Sequence, residues 1–295
     1  MRLFLQRIFV VLVLLVFAGE AGYAENNLRL EYLPRLIKQG TVCLVRASGL
    51  TSLKSIYGEF QGKRFSMALE AHDGTYESLI GIDMNARPTA CEIKVVATDS
   101  GSKVYSRTLR LRVEKAHFGV ESLSLPSSMV DLDAKTLERV NQEAKRVQTL
   151  FQTFRNVRLW RGAFICPVDG ELSSAFGLSR IINGQRRSPH TGVDFETEEG
   201  TPVWACNRGT VVLSDQLFFS GKSIILDHGW GIYSMYFHLS EALVSEGDTV
   251  GRGAMVGRVG STGRSTEPHL HWAIRIRGAR VDPFSLLELT EGLRE

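Results

Sequence analysis

The rhythm of hydrophobic and polar positions changes three times along this chain. Residues 8–17 form an unbroken apolar run, preceded by Arg2 and Arg7 and followed by small residues ending in Ala21-Gly22-Tyr23-Ala24. A positive start, a short apolar stretch and a small-residue finish are the layout of a secretory signal peptide, here residues 1–24 with cleavage after Ala24. Ten apolar residues fall short of the about 20 that a membrane-spanning helix needs, and an uncleaved N-terminal anchor is the alternative. Export to the periplasm or cell envelope would place the remaining chain in an oxidising compartment.

Residues 25–118 alternate with a period of two. In Cys91-Glu92-Ile93-Lys94-Val95-Val96-Ala97, residues 91, 93, 95 and 97 share one face, and Leu109-Arg110-Leu111-Arg112-Val113 alternates more cleanly. Thr41-Val42-Cys43-Leu44-Val45 reads as another short strand, and turn signals at His72-Asp73-Gly74 and Asp99-Ser100-Gly101 separate such runs. Short strands with regular turns predict a β-sandwich-like N-terminal domain. Cys43 and Cys91 both fall on apolar strand faces. A disulfide between them is expected, with two buried free thiols as the alternative.

The period then lengthens. Leu137, Val140, Ala144, Val147, Phe151 and Phe154 step by three and four, predicting an amphipathic helix over 133–158 with Asp133 as N-cap, inside a linker of 119–161. Its narrow stripe is expected to pack on its own chain, a short coiled coil being the alternative. Residues 162–288 return to short β runs at 203–212, 223–226 and 269–276. Seventeen of the 28 glycines lie at Gly170 or later, which predicts a turn-rich antiparallel β domain with little helix, followed by a tail of 289–295. The fold class is therefore mainly β.

Composition changes this picture little. The chain has 295 residues, 43% hydrophobic and 23% charged, with 35 Lys+Arg against 32 Asp+Glu. These values are those of a globular chain of about two domains and exclude extended disorder. The charges are mixed, without a polybasic block, so no nucleic-acid partner is expected.

The histidines carry the chemistry, because five of the seven lie between 190 and 271. His190 and Asp194 are separated by three residues in Pro189-His190-Thr191-Gly192-Val193-Asp194-Phe195, where Pro189 and Gly192 argue for a loop entering a strand rather than a helix. His269 and His271 open an apolar strand and point to the same face. His238 lies in the strand-like Tyr236-Phe237-His238-Leu239, and His228 in a Gly-flanked turn that reads as structural. Two imidazoles and one carboxylate make up a catalytic zinc site with an open fourth position, whereas a closed structural site would use four ligands. If one histidine of the 269/271 pair ligates, the other stands beside it. Cys166 and Cys206 lack ligand spacing and read as paired or buried structural residues.

These motifs in order, together with Ser173-Ser174-Ala175-Phe176-Gly177, Gly200-Thr201-Pro202-Val203, Gly247-Asp248-Thr249-Val250 and Val281-Asp282-Pro283, resemble the lysostaphin/LytM-type zinc metallopeptidases of the bacterial cell wall over about 162–288. The resemblance implies a duplicated hybrid motif fold, zinc held by His190, Asp194 and His271, His269 as general base or transition-state stabiliser, and His238 assisting it by holding the water or the oxyanion. It implies hydrolysis of amide bonds in peptidoglycan stem or cross-link peptides. The alternative is a non-catalytic relative that activates another wall hydrolase, which would be expected to have lost ligands. The N-terminal domain is expected to bind a regulatory partner or wall material, or to restrain the site, and the chain to act as a monomer. One departure stands out. Thr266-Glu267-Pro268-His269 places Glu267 where such proteins commonly have glycine, so the loop would sit differently and bring a carboxylate near the metal.

Overall fold

The computed structural model describes residues 27–292, apart from 70–73, 125, 127–129 and 153–154. The expected signal peptide of residues 1–24, Phe154 of the helical stripe and residues 293–295 lie outside the described residues.

The N-terminal part is a sandwich of two sheets. One has the strand order Arg29–Leu33, Val42–Ser48, Tyr76–Gly81, Ala68–Leu69. The other runs Ile37–Lys38, Val104–Glu114, Ala90–Asp99, Leu53–Phe60, Lys63–Ser66. In Ala90–Asp99 the alternation holds, with Ile93, Val95 and Ala97 buried and Glu92 and Lys94 exposed. Val42–Ser48 departs from it, because four consecutive residues from Val42 are buried. Both faces of this strand are covered. Cys43 and Val45 face the sandwich interior with Ile80 and Ile93. Val42 and Leu44, with Leu79, join the C-terminal core beside Ile276, Val281 and Leu286. Arg280 reinforces this junction, donating from its backbone N, Nε and Nη2 to the Asp83 carboxylate at 2.9, 3.0 and 2.7 Å.

All four cysteines are free thiols, so the expected Cys43–Cys91 disulfide is corrected. The two stand on different sheets, and burial pushes the Cys43 thiol up to about 12 and raises Cys91 as well. Such thiols stay protonated and unreactive. Cys166 and Cys206 are likewise unpaired; Cys206 is buried and Cys166 exposed.

The C-terminal part is built on a long antiparallel sheet with the strand order Glu171–Ser174, Val193–Glu196, His269–Ile276, Ile232–Leu239, Gly221–Asp227, Gly209–Leu217, Thr249–Val250. Ala279–Val281 pairs with the far end of His269–Ile276. The run predicted over 203–212 is two strands, Pro202–Trp204 and Gly209–Leu217, in different sheets. A short strand from the linker, Val120–Leu123, lies parallel to Ser179–Ile182 at the edge of the cleft described below.

Helix α1 covers Ala134–Leu150, and the Asp133 side chain accepts from the Thr136 backbone N at 2.8 Å, as its N-cap role predicts. Val147, Leu150 and Phe151 pack on the sheet against Leu213, Ile225, Tyr233 and Met235, while Leu137 remains half exposed. The helix stops eight residues short of the expected 158. Residues beyond it are drawn into hydrogen bonds with the turn at 228–230: Trp230 N donates to Arg155 O and Leu159 N to His228 O, both at 2.9 Å. A second helix, α2 (Pro283–Thr290), was not expected. It starts on an Asp282 cap with Pro283 in its first turn, and it buries Leu286 and Thr290, which carries the packed part past residue 288.

Candidate metal centre and cleft

Strand pairing brings the first two groups together. Asp194 and His271 are directly opposite in the antiparallel pair Val193–Glu196 and His269–Ile276, so their side chains rise from the same face. Asp194 Oδ1 lies 2.7 Å from His271 Nδ1. His190 arrives from the loop before the strand, anchored by its N on Leu178 O at 2.8 Å. Its Nε2 is 3.0 Å from Asp194 Oδ1 and 3.0 Å from His271 Nδ1. Gly192 lets this turn press onto the histidine strand, because a Cβ there would stand 2.4 Å from Trp272 O.

The three groups are buried. His190 Nδ1 donates to Ala175 O at 2.9 Å, which turns Nε2 toward a carboxylate oxygen as a ligand nitrogen would be turned toward a metal. Two imidazole nitrogens and a carboxylate oxygen within 3.0 Å of one another make a donor set that fits a divalent metal. Burial would raise the Asp194 carboxyl, but the His271 and His190 imidazoles outweigh it and hold the group ionised, well below the usual carboxylate range. Burial lowers His271, against the pull of Asp194, and so favours its neutral, ligating form. His190, Asp194 and His271 form a group of the kind that holds a metal ion among the described residues.

His269 and His238 complete the cluster, with ring centroids 4.7 Å apart and His238 6.2 Å from His271. His269 shares a face with His271, as its position two residues away requires. His238 does not follow simple alternation. Phe237 is the residue opposite His271 and stacks on it at 5.5 Å. Phe237 and His238 together oppose Ser223 alone, a β-bulge, and His238 has φ 64°. The bulge turns the imidazole to the side of the other histidines. His238 Nδ1 donates to Thr262 O at 2.8 Å and His269 Nδ1 to Glu267 O at 2.9 Å, leaving each Nε2 free. Burial, then the charges of His269 and His271, lower His238 to about 3, so it is neutral.

The sequence left Arg180, Glu121 and Ser174 without a role, yet all three stand at the centre. Arg180 Nη2 donates to Asp194 Oδ2 at 2.8 Å and its Nε to Glu121 Oε2 at 2.9 Å. Ser174 Oγ donates to Glu121 Oε1 at 2.8 Å. No spacing signals this, because Arg180 reaches Asp194 only through the hairpin of Ser179–Ile182 and Gln185–Arg186. Glu267 lines the cleft without joining the ligand triangle and keeps a negative φ, so glycine's freedom is not needed there. His228 is buried away from the cleft, Nδ1 on Arg208 O and Nε2 on Ser234 Oγ, both at 2.8 Å, which agrees with a structural reading.

A buried His–Asp–His triangle beside two further imidazoles, in an open cleft on an antiparallel sheet, is an arrangement that fits a metallopeptidase. Residues 188–283 match the profile of Peptidase family M23, so this part of the chain is a peptidase M23 domain of the LytM type. The chain is 39% identical over 119 residues to the peptidoglycan DD-endopeptidase ShyA of Vibrio cholerae, a match covering 39% of this chain and 28% of ShyA. It is 41% identical over 117 residues to the DD-carboxypeptidase/endopeptidase Mpg of Neisseria meningitidis serogroup B, covering 39% of this chain and 26% of Mpg. The chain thus spans about a quarter of the length of these curated relatives. A Pseudomonas aeruginosa crystal structure described as a peptidase M23 matches 86% of this chain and 95% of its own, at TM-score 0.67 and 28% identity, so that likeness includes the N-terminal part.

Proposed function

We propose that this chain is an exported zinc endopeptidase that hydrolyses amide bonds in peptidoglycan stem or cross-link peptides. The observation that carries the reading is the ligand triangle His190 Nε2, Asp194 Oδ1 and His271 Nδ1, with the free Nε2 atoms of His269 and His238 beside it. The names of the curated relatives, a peptidoglycan DD-endopeptidase and a DD-carboxypeptidase/endopeptidase, support the substrate class. Among the described residues no helix is long and apolar enough to cross a membrane.

His190, Asp194 and His271 would hold the zinc ion, whose chemistry there would be Lewis-acid polarisation of the scissile carbonyl and a lowered pKa of water. The protein's own residues do the rest. His269 takes a proton from the attacking water at Nε2 and returns it to the departing amide nitrogen, so hydrolysis adds one water across the bond. His238, neutral with its Nδ1 proton committed to Thr262 O, offers a lone pair at Nε2. It therefore accepts a hydrogen bond from the water and orients it, which favours water-holding over an oxyanion role. Arg180 holds Asp194 Oδ2 and so turns Oδ1 toward the histidines. The reading as a non-catalytic regulator calls for a missing ligand, and none of the three positions is missing.

The test is digestion of cross-linked muropeptides by the zinc-loaded protein, followed by mass spectrometry. The expected result is release of monomers, abolished in His271→Ala. Unchanged dimers, with His271→Ala no different from wild type, would overturn the proposal.

A further inference from the structure

The cleft holds more positive charge than hydrolysis uses. Two cavities, of about 170 and about 420 Å³, meet at the histidines, and Arg180 and Arg264 line both. Arg187 lines the larger one. The three guanidinium groups act on one another: burial, then the charges of Arg180 and Arg187, push Arg264 below the ordinary arginine range. Arg264 rests on the Phe219 ring at 4.2 Å, and no carboxylate of the described residues pairs with it. A half-buried guanidinium without a counter-ion carries a desolvation cost that a bound anion offsets.

Glu121 shows which anion fits. Its strand, Val120–Leu123, comes from the linker rather than from the matched domain, and it lays an extended backbone along the cleft edge. From there the Glu121 carboxylate takes the Nε of Arg180 and the hydroxyl of Ser174 at 2.9 and 2.8 Å, as a carboxylate on an extended peptide would. The planar guanidinium fork matches a carboxylate in shape as well as charge. Glu121 engages only Arg180 and leaves Arg264 free. The other carboxylate on the rim, Glu267, is exposed.

We infer that Arg180, Arg264 and Arg187 form a carboxylate subsite beside the metal triangle, so that the preferred substrate is a peptide bearing a free carboxylate close to the cleaved amide. The inference rests on the endopeptidase reading for its substrate, and Glu121 competes with that carboxylate for Arg180.

The test compares a cross-linked muropeptide dimer with the same dimer whose free carboxylates are converted to primary amides. Binding is read by calorimetry in zinc-loaded His269→Ala, and cleavage in the wild type. The acid dimer is expected to bind about tenfold more tightly than the amide, the size of a lost charge-assisted hydrogen bond. Arg264→Gln in the same background removes that preference, Arg264→Lys keeps most of it, and Glu121→Gln tightens the acid dimer alone. Equal binding of the two dimers overturns the subsite, as does Arg264→Gln weakening both equally. Acid-selective binding without products from the wild type keeps the subsite and overturns the hydrolytic reading. Equal cleavage with equal binding does the reverse.

Discussion

Asp194 and His271 are cross-strand partners whose Oδ1 and Nδ1 atoms lie 2.7 Å apart, 77 positions apart in sequence. Three of the carboxylate's close contacts, from Arg180, His190 and His271, converge on its two oxygens. Asp194→Asn replaces one anionic oxygen with an amide and removes the charge that holds a cation. Zinc content, measured by inductively coupled plasma mass spectrometry after dialysis, is expected to fall about tenfold or more, with thermal stability of the chelator-treated protein changed far less. Full zinc retention in Asp194→Asn would contradict the assignment of this residue as a ligand.

His238 is expected to act in turnover rather than in metal binding. His238→Ala should lower kcat by about 10²–10⁴-fold, the range for a lost group in proton handling, with zinc content unchanged on the same samples. A parallel fall in zinc and rate would instead make the residue part of the metal site.

Gly192 sets the distance between the His190 turn and the His271 strand. A Cβ there meets Trp272 O at 2.4 Å, Ala273 Cβ at 2.8 Å and His271 Cε1 at 2.9 Å, all three in buried sheet positions. Gly192→Ala is expected to destabilise the fold by about 1–3 kcal/mol through overpacking and to weaken zinc binding by displacing His271. Chemical denaturation and zinc titration of the same variant test both, and unaltered values in each would show that the strand shifts at no cost.

His228 makes stability depend on pH. Burial lowers its imidazole from 6.5 to about 4, so the unfolded chain takes up a proton in a range where the native one does not. Stability is therefore complete above pH 6.5 and is lost as pH falls from 6.5 toward 4, by up to about 3 kcal/mol. Melting temperatures of chelator-treated protein between pH 7 and 4.5 should fall more steeply for wild type than for His228→Asn. Identical slopes would assign the acid sensitivity to other groups.

Much of this molecule was legible along the chain because its rules are local. Period-two alternation located Ala90–Asp99 and Val104–Glu114, and the strand predicted over 269–276 has those bounds in the structure. The same alternation places His269 beside His271, and Pro189 with Gly192 placed His190 in a loop leading into the Asp194 strand. Residue types and spacing suggested two imidazoles and one carboxylate, but only the family resemblance singled out His271 over His269 as the second imidazole.

Other features depend on what packs against what, and only the tertiary structure decided them. Val42 and Leu44 break the alternation because a second core covers their face. Helix α1 ends at Leu150 because the following backbone bonds to the turn at 228–230. His238 reaches the cluster through a bulge defined by its neighbouring strand, and Cys43 and Cys91 remain thiols on separate sheets. Arg180 meets Glu121 across 59 positions, and Arg280 meets Asp83 across 197. Local sequence dictates which way a strand's side chains alternate and which residues can bind metal. Which distant carboxylate an arginine finds is settled only when the sheets close and desolvate them together.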